Sequence, residues 1–373
     1  MKIALIHDWL PFMGGAERVL TNFHELFPGA PIYTTICNRE RLDGPLKNAD
    51  IRTSHLQKKR EIKNHRKLFP FMPTAIESFD LNEYDVVLSS SSSVAKAVIT
   101  KPDTMHICYC HSPMRYGWEF SHEYAGRMAG GGIKTKLVNY FLTFMRVWDN
   151  VSADRVDYFI ANSENVARRI WKHYRREAVV IHPPVRCKLF NISDINEDYY
   201  LVVSRLQEYK KIDLAIEAFN RLGKPLVVIG DGPDREKLEK MANSNIKFLG
   251  RVSDDVIKEH YAKCKGFIFP GEEDFGITPL EAMASGRPVL AYGRGGALET
   301  VIDGKTGVFF KEQTVESLID GVNKLENIKF NKNEIRKHAE KFDEEIFKEK
   351  IESYVKSKYT EFLSKECGKV LWK

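Results

Sequence analysis

Across the second half of the chain one rhythm repeats: a short apolar run, a turn, a helical stretch, then another short apolar run. Tyr200–Ser204, Pro225–Gly230, Ile246–Leu249, Gly266–Phe269, Pro288–Ala291 and Val308–Phe310 read as strands, with helices such as Asp213–Leu222 and Pro233–Ala242 between them. Strands that alternate with helices of roughly 10–15 residues build right-handed βαβ units, so the strands run parallel in one sheet. The first half shows a looser version, with strands expected at Lys2–His7, Asp85–Ser89, His106–Cys110 and Tyr158–Ala161 and an amphipathic helix at Ala16–Phe27. Asn162-Ser163 can cap a further helix, in which Ala167, Ile170 and Trp171 recur at helical spacing. Pro183-Pro184 interrupts the pattern, and a linker is expected from there to about Asp198. The 373 residues exceed what one core usually organises, about 250–300. The expected fold class is therefore α/β with two doubly wound domains, residues 1–185 and 186–345. The charged, helical tail, residues 346–373, is expected to pack back across the first domain. The serine run Ser89–Ser93 reads as a loop or helix start after a strand.

Composition narrows the class. Hydrophobic residues make up 43% and charged residues 29%, ordinary for a globular protein, and no apolar run approaches the ~20 residues that span a bilayer. The first residues run straight from a short apolar stretch into a turn, so a cytoplasmic protein is expected. The six cysteines are scattered. His106, Cys108 and Cys110 share one side of a strand and His111 points away, which favours a strand over a metal site. The net charge of +6 is concentrated: between Lys47 and Lys67 eight basic residues face two acidic ones. A local basic patch implies an anionic partner at that place and argues against a general nucleic-acid-binding protein.

Four clusters sit where a doubly wound sheet places its ligand, beyond the carboxyl ends of strands. Gly14-Gly15 lies between the first strand and a helix, where the backbone can approach a phosphate and the helix offers free N–H groups. Arg205 and Lys210 follow the first strand of the second domain and can both point at one anion. Glu273 lies in the loop after Gly266–Phe269, Glu281 one turn inside the next helix, and Phe275, Gly276, Ile277 and Thr278 between them supply N–H groups for phosphate and sugar oxygens. His111 follows a first-domain strand. Taken singly, each has an ordinary alternative: a turn, a solvated loop, two surface acids, a structural histidine.

Together and in this order they resemble the retaining glycosyltransferases of the GT-B fold, of the large family-4 type, and among them the bacterial mannosyltransferases of O-antigen and capsule synthesis. The resemblance rests on Glu273 and Glu281 at Glu-x7-Glu spacing, on Ser204-Arg205-Leu206 with Lys210 and Asp213, and on Ile6-His7-Asp8-Trp9 followed by Gly14-Gly15-Ala16-Glu17. It also rests on Tyr109-Cys110-His111-Ser112-Pro113 and Gly293-Arg294-Gly295-Gly296-Ala297. It covers essentially the whole chain and implies two Rossmann-like domains with parallel sheets facing a cleft. The resemblance assigns Gly15 to the donor's distal phosphate, with Gly14 beside it among the donor-binding residues, Arg205 and Lys210 to its diphosphate, and Glu273 with the Phe275–Thr278 amides to its sugar. It assigns Glu281 to the ribose and His111 to the sugar near the reacting centre. Lys211 departs from the pattern, standing where a glycine is common.

The implied reaction moves a hexose, mannose from GDP-mannose, to a lipid-linked saccharide with retention, and the departing phosphate takes the acceptor's proton. No Asp-x-Asp occurs, so no metal cofactor is expected, and Arg205 and Lys210 take the neutralising role. The acceptor implies a peripheral position on the inner face of the cell membrane, with the 47–67 patch and the apolar Leu68–Pro73 that follows it as the contact. Leu137–Trp148, apolar almost all round and too short to span, reads mainly as core. UDP-sugars remain an alternative donor; a nucleotide-sugar epimerase and a non-catalytic nucleotide-sugar-binding protein are the rival readings.

Overall fold

The computed structural model describes residues 1–57, 68–121, 125–126 and 132–369. Lys58, Lys59, Arg60, Lys63, Arg66 and Lys67 of the basic patch lie outside the described residues. The chain divides into two compact units, Met1–His182 with Lys348–Lys373, and Pro183–Phe347.

The first unit is built on seven parallel strands: β1 (Ile3–His7), β2 (Ile32–Thr34), β3 (Ile51–Thr53), β4 (Val86–Ser91), β5 (Met105–Cys110), β6 (Tyr158–Ala161) and β7 (Ala178–Val180). Their order is β3-β2-β1-β4-β5-β6-β7. The central strands β1, β4 and β5 are buried along their whole length, which is why their apolar residues do not alternate with exposed polar ones. Helices α1 (Gly15–Leu26), α2 (Met72–Glu77), α3 (Ile133–Ser152) and α4 (Glu164–Tyr174) accompany this sheet. Ser163 caps α4 by accepting the Val166 N–H, as its sequence position predicts.

Two expectations fail here. Ser89, Ser90 and Ser91 belong to β4 and are not a loop. Their hydroxyls tolerate burial because neighbouring groups pair them: Ser89 Oγ lies 2.8 Å from His106 Nε2, and Ser91 Oγ accepts the Lys96 N–H at 3.3 Å. The Leu137–Trp148 segment is not wholly core. Within α3, Leu142 and Met145 are buried, whereas Leu137, Tyr140, Phe144, Val147 and Val151 are exposed, Tyr140 by 80%. Their spacing of three and four residues places them in one stripe along the outer face.

The inner face of α3 is held by a buried ion pair. Lys96 Nζ donates to Asp149 Oδ1 at 2.6 Å, with the two side chains 1% and 0% exposed. Lys96 also donates to Ser152 Oγ at 3.0 Å, and Asp149 Oδ2 accepts from Trp118 Nε1 at 2.7 Å and the Tyr174 hydroxyl at 2.8 Å. Both charges are therefore paired and further hydrogen-bonded, the condition under which an ion pair withstands desolvation.

The second unit carries six parallel strands: β8 (Tyr200–Val203), β9 (Leu226–Ile229), β10 (Ile246–Gly250), β11 (Gly266–Phe269), β12 (Val289–Tyr292) and β13 (Gly307–Phe310), in the order β10-β9-β8-β11-β12-β13. Among its helices are α5 (Ile212–Leu222), α6 (Arg235–Met241), α7 (Asp254–Lys263), α8 (Ile277–Ala284), α9 (Ala297–Thr300), α10 (Val315–Glu326) and α11 (Lys332–Ala339). Successive strand residues feed opposite cores: Val202, Ile268 and Leu290 pack with α5 and α10, and Leu201, Phe267 and Ala291 with α8 and α11.

Residues 183–198 do not form a free linker. Phe190 is buried in the second unit's core, and the Val185 N–H donates to Phe342 O at 2.9 Å. The Arg287 guanidinium holds Asn196 Oδ1 and Ile195 O. The last helix, α12 (Glu344–Lys369), begins in the second unit. From Lys348 onward it groups with the first unit, where Lys348 pairs with Glu25 at 2.8 Å.

Replacing Lys96 with Met leaves Asp149 buried without its counter-charge. Urea denaturation of Lys96→Met is expected to show a loss of about 3–5 kcal/mol relative to the wild type.

Candidate functional site

In the second unit the sheet order reverses direction between β8 and β11, so the loops leaving the carboxyl ends of these two neighbours lie side by side. The first carries Arg205, exposed, and Lys210; the second carries Glu273 and leads through Gly276 into α8. The Lys210 ammonium donates directly to the Glu273 carboxylate, with both side chains largely shielded from water. Burial, the largest single effect, would lower the Lys210 pKa, but the Glu273 charge and hydrogen bond together with Tyr209 outweigh it and raise the pKa above the ordinary lysine value. The ammonium thus stays charged at neutral pH.

The β12 loop fixes this arrangement from behind. The Gly296 N–H donates to Glu273 O at 2.9 Å, and a Cβ on Gly296 would stand 2.2 Å from the Phe275 Cα. Only glycine permits that approach, which gives the Gly293–Gly296 run a mechanical reason. Phe275 packs its ring into the core, so its contribution to the loop surface is its backbone. Ile277 and Thr278 open α8, whose first N–H groups have no partner within the helix. Glu281, buried one turn in, accepts the Tyr261 hydroxyl at 3.0 Å. The structure therefore brings Lys210 and Glu273 into contact, sets Gly276–Thr278 in the loop and first turn that follow, and commits Glu281 in part to Tyr261.

In the first unit, Gly14 caps α1 and Gly15 is its first helical residue. His111 follows β5, with its Nε2 2.8 Å from Ser90 Oγ and its backbone oxygen accepting from Asn162 Nδ2 at 2.9 Å. Burial pushes the His111 pKa down to about 3. Asp8 accepts the N–H groups of Ser92, Val94 and Ala95 at 2.6–2.7 Å and so fixes the loop after β4. Burial raises the Asp8 pKa against these bonds. Neither Ser90 nor Asp8 stands out by sequence as a site residue; the available signal is a polar residue inside the buried strand β4 and another directly after β1. Among the described residues no three His, Cys, Asp or Glu side chains converge as metal ligands.

Residues 13–189 match the model of the family described as Glycosyltransferase Family 4, and residues 188–346 match that described as Glycosyl transferases group 1. The two matches together cover residues 13–346. The chain belongs to the GT-B glycosyltransferases. This glycosyltransferase is 26% identical to the alpha-1,3/1,6-mannosyltransferase ALG2 of Kluyveromyces lactis, over 81% of this chain and 71% of that protein. It is 25% identical to the O-antigen chain mannosyltransferase C of Escherichia coli, over 52% of this chain and 57% of that protein. The crystal structure of Anabaena HepE in complex with UDP matches the fold with a TM-score of 0.71 at 18% identity, covering 96% of this chain and 100% of that one.

The buried histidines of the first unit couple stability to pH. His111 and His106 are depressed from the ordinary 6.5 to about 3 and about 4, in both cases chiefly by burial. A depressed histidine contributes stability that is complete above the unfolded value and is lost as pH falls from about 6.5 toward the folded values, because only the unfolded chain takes up the protons. Urea denaturation is expected to show lower stability at pH 5.5 than at pH 7.5. The drop should be smaller in His106→Gln, which removes one of the two groups.

Proposed function

We propose that the glycosyltransferase moves mannose from GDP-mannose to a hydroxyl of a lipid-linked saccharide, with retention at the anomeric carbon and without a metal. The ion pair between Lys210 and Glu273 at the β8/β11 reversal carries this reading. In the free protein the pair holds both side chains in place and keeps Lys210 charged. When donor binds, the diphosphate takes Lys210, with Arg205 as a second cation, and Glu273 turns its oxygens to sugar hydroxyls. The N–H groups of Phe275 to Thr278 meet phosphate and sugar oxygens, and Glu281 the ribose. Gly14 and Gly15 leave the backbone before α1 open to a phosphate, and His111 is the first unit's polar contact with the sugar. In the transfer the bond from anomeric carbon to phosphate oxygen breaks, the acceptor oxygen bonds that carbon on the same face, and its proton passes to the departing phosphate. Fixed charges that already surround the leaving group need no reorganisation as its charge develops.

Mannose is favoured by the mannosyltransferase relatives, and surface-polysaccharide synthesis by the O-antigen relative. The UDP bound to Anabaena HepE favours a second reading, a UDP-sugar donor on the same residues.

The lipid-linked acceptor puts the enzyme at a membrane, on its cytoplasmic face. No helix among the described residues is long and apolar enough to cross one. The outer face of α3 supports peripheral contact instead: its exposed apolar stripe is flanked at the amino end by exposed Lys134 and Lys136, and the helix's single carboxylate, Asp149, is buried. Such a face suits an anionic bilayer surface.

Two measurements check this. Removing a buried, paired charge costs roughly 2–5 kcal/mol, and each ~1.4 kcal/mol is tenfold. Lys210→Ala is expected to lower transfer at least about 30-fold; full activity in a folded variant would exclude its role. For the membrane contact, sedimentation with phosphatidylglycerol vesicles is expected to fall at least about tenfold in Leu137→Ser/Phe144→Ser. Unchanged binding removes α3 from the membrane surface.

A further inference from the structure

Four polar side chains of the first unit stand in one file that ends on His111. Glu17 Oε1 lies 3.5 Å from His7 Nε2, His7 Nδ1 lies 3.1 Å from Ser90 Oγ, and Ser90 Oγ lies 2.8 Å from His111 Nε2. Glu17, His7 and Ser90 are buried. The sheet register sets His7 directly opposite Ser90, at the carboxyl ends of β1 and β4. Glu17 reaches back from α1 over Gly14, where a Cβ would stand 2.8 Å from its Oε2. Any side chain at position 14 would therefore push the carboxylate away from His7. Asp8, the other acid next to His7, is occupied by three backbone N–H groups.

With His7 neutral, the chemistry of these groups gives the file a direction. A carboxylate only accepts, so His7 Nε2 carries a proton. A neutral His7 then has a bare Nδ1, which accepts the Ser90 hydroxyl. The Ser90 oxygen is left with lone pairs and accepts from His111 Nε2–H. Burial keeps His111 neutral, so its Nδ1 is bare. A charged His7 would reverse every bond after it, and His111 would present an N–H instead.

We propose that Glu17, His7 and Ser90 are positioning residues that hold His111 as its Nε2–H tautomer and so present Nδ1 as the acceptor for a sugar hydroxyl. This rests on the reading that His111 meets the sugar. It adds a polarity to that contact: a hydroxyl at this place is gripped as a donor, and a sugar lacking it leaves Nδ1 without a proton to accept.

The tautomer is read directly. In the full-length protein with 15N-labelled histidine, at pH 8, above the usual imidazole range near ~6.5, His111 is expected to show a protonated Nε2 and an unprotonated Nδ1. His111→Asn assigns the signal. Ser90→Ala is expected to lose this tautomer preference and to lower kcat about tenfold at unchanged KM. Ser90→Thr, which keeps the hydroxyl, restores both. An Nδ1–H signal in the wild type overturns the proposal, as does wild-type kcat in a folded Ser90→Ala. Failure of the transfer reading shows separately, as absence of transfer by the wild type from any nucleotide sugar, because the tautomer is measured without substrate.

Discussion

A polar side chain held out of water must be paired, and pairing organises both units of this molecule. The central strands are wholly buried, so each polar group that interrupts them has to find its partner within the sheet or in the loop above it. Ser89 pairs with His106, Ser90 with His7 and His111, and Asp8 with the N–H groups of the β4 loop. Such bonds cost stability if any member is removed, and in return they leave each side chain one orientation. The same logic applies to Lys210 and Glu273 in the second unit. Each would be expensive alone at that depth, and together they hold an ammonium and a carboxylate ready at one sheet edge.

The topology decides which groups can meet. In a parallel sheet every strand delivers its following loop to the same edge, and the loops of sequence-distant strands become neighbours where the order reverses. β8 and β11 are separated by two strands in sequence and adjacent in space, which is how Lys210 reaches Glu273. In the first unit β4 lies between β1 and β5, which is how Ser90 bridges His7 and His111.

This explains what was legible in the sequence. Strands buried on both faces show as continuous apolar runs, so β1, β5 and most of the second sheet were readable to within a residue or two. The three-residue strands β2, β3 and β7 are too short to display a period. The run Leu137–Trp148 misled because apolar residues on two faces of a helix look like a buried helix, and only the packed structure shows which face has a partner. The meeting of Lys210 and Glu273 was legible because strand ends followed by glycine and helix starts are places where ligands bind. The file from Glu17 to His111 was not, since its members are joined only by sheet order and register.

Lys211 shows how a departure from a family pattern can be structural. Its backbone has φ +54, in the left-handed region, at the junction between the turn that carries Lys210 and the start of α5. A residue with a Cβ pays roughly 1–2 kcal/mol there and glycine does not. A glycine at this position suits the backbone turn. The lysine keeps the same turn at a modest cost, and that turn aims Lys210 at Glu273. Lys211 accordingly need not duplicate Lys210: the two residues share a loop, and the second sets the backbone course that lets the first reach its partner.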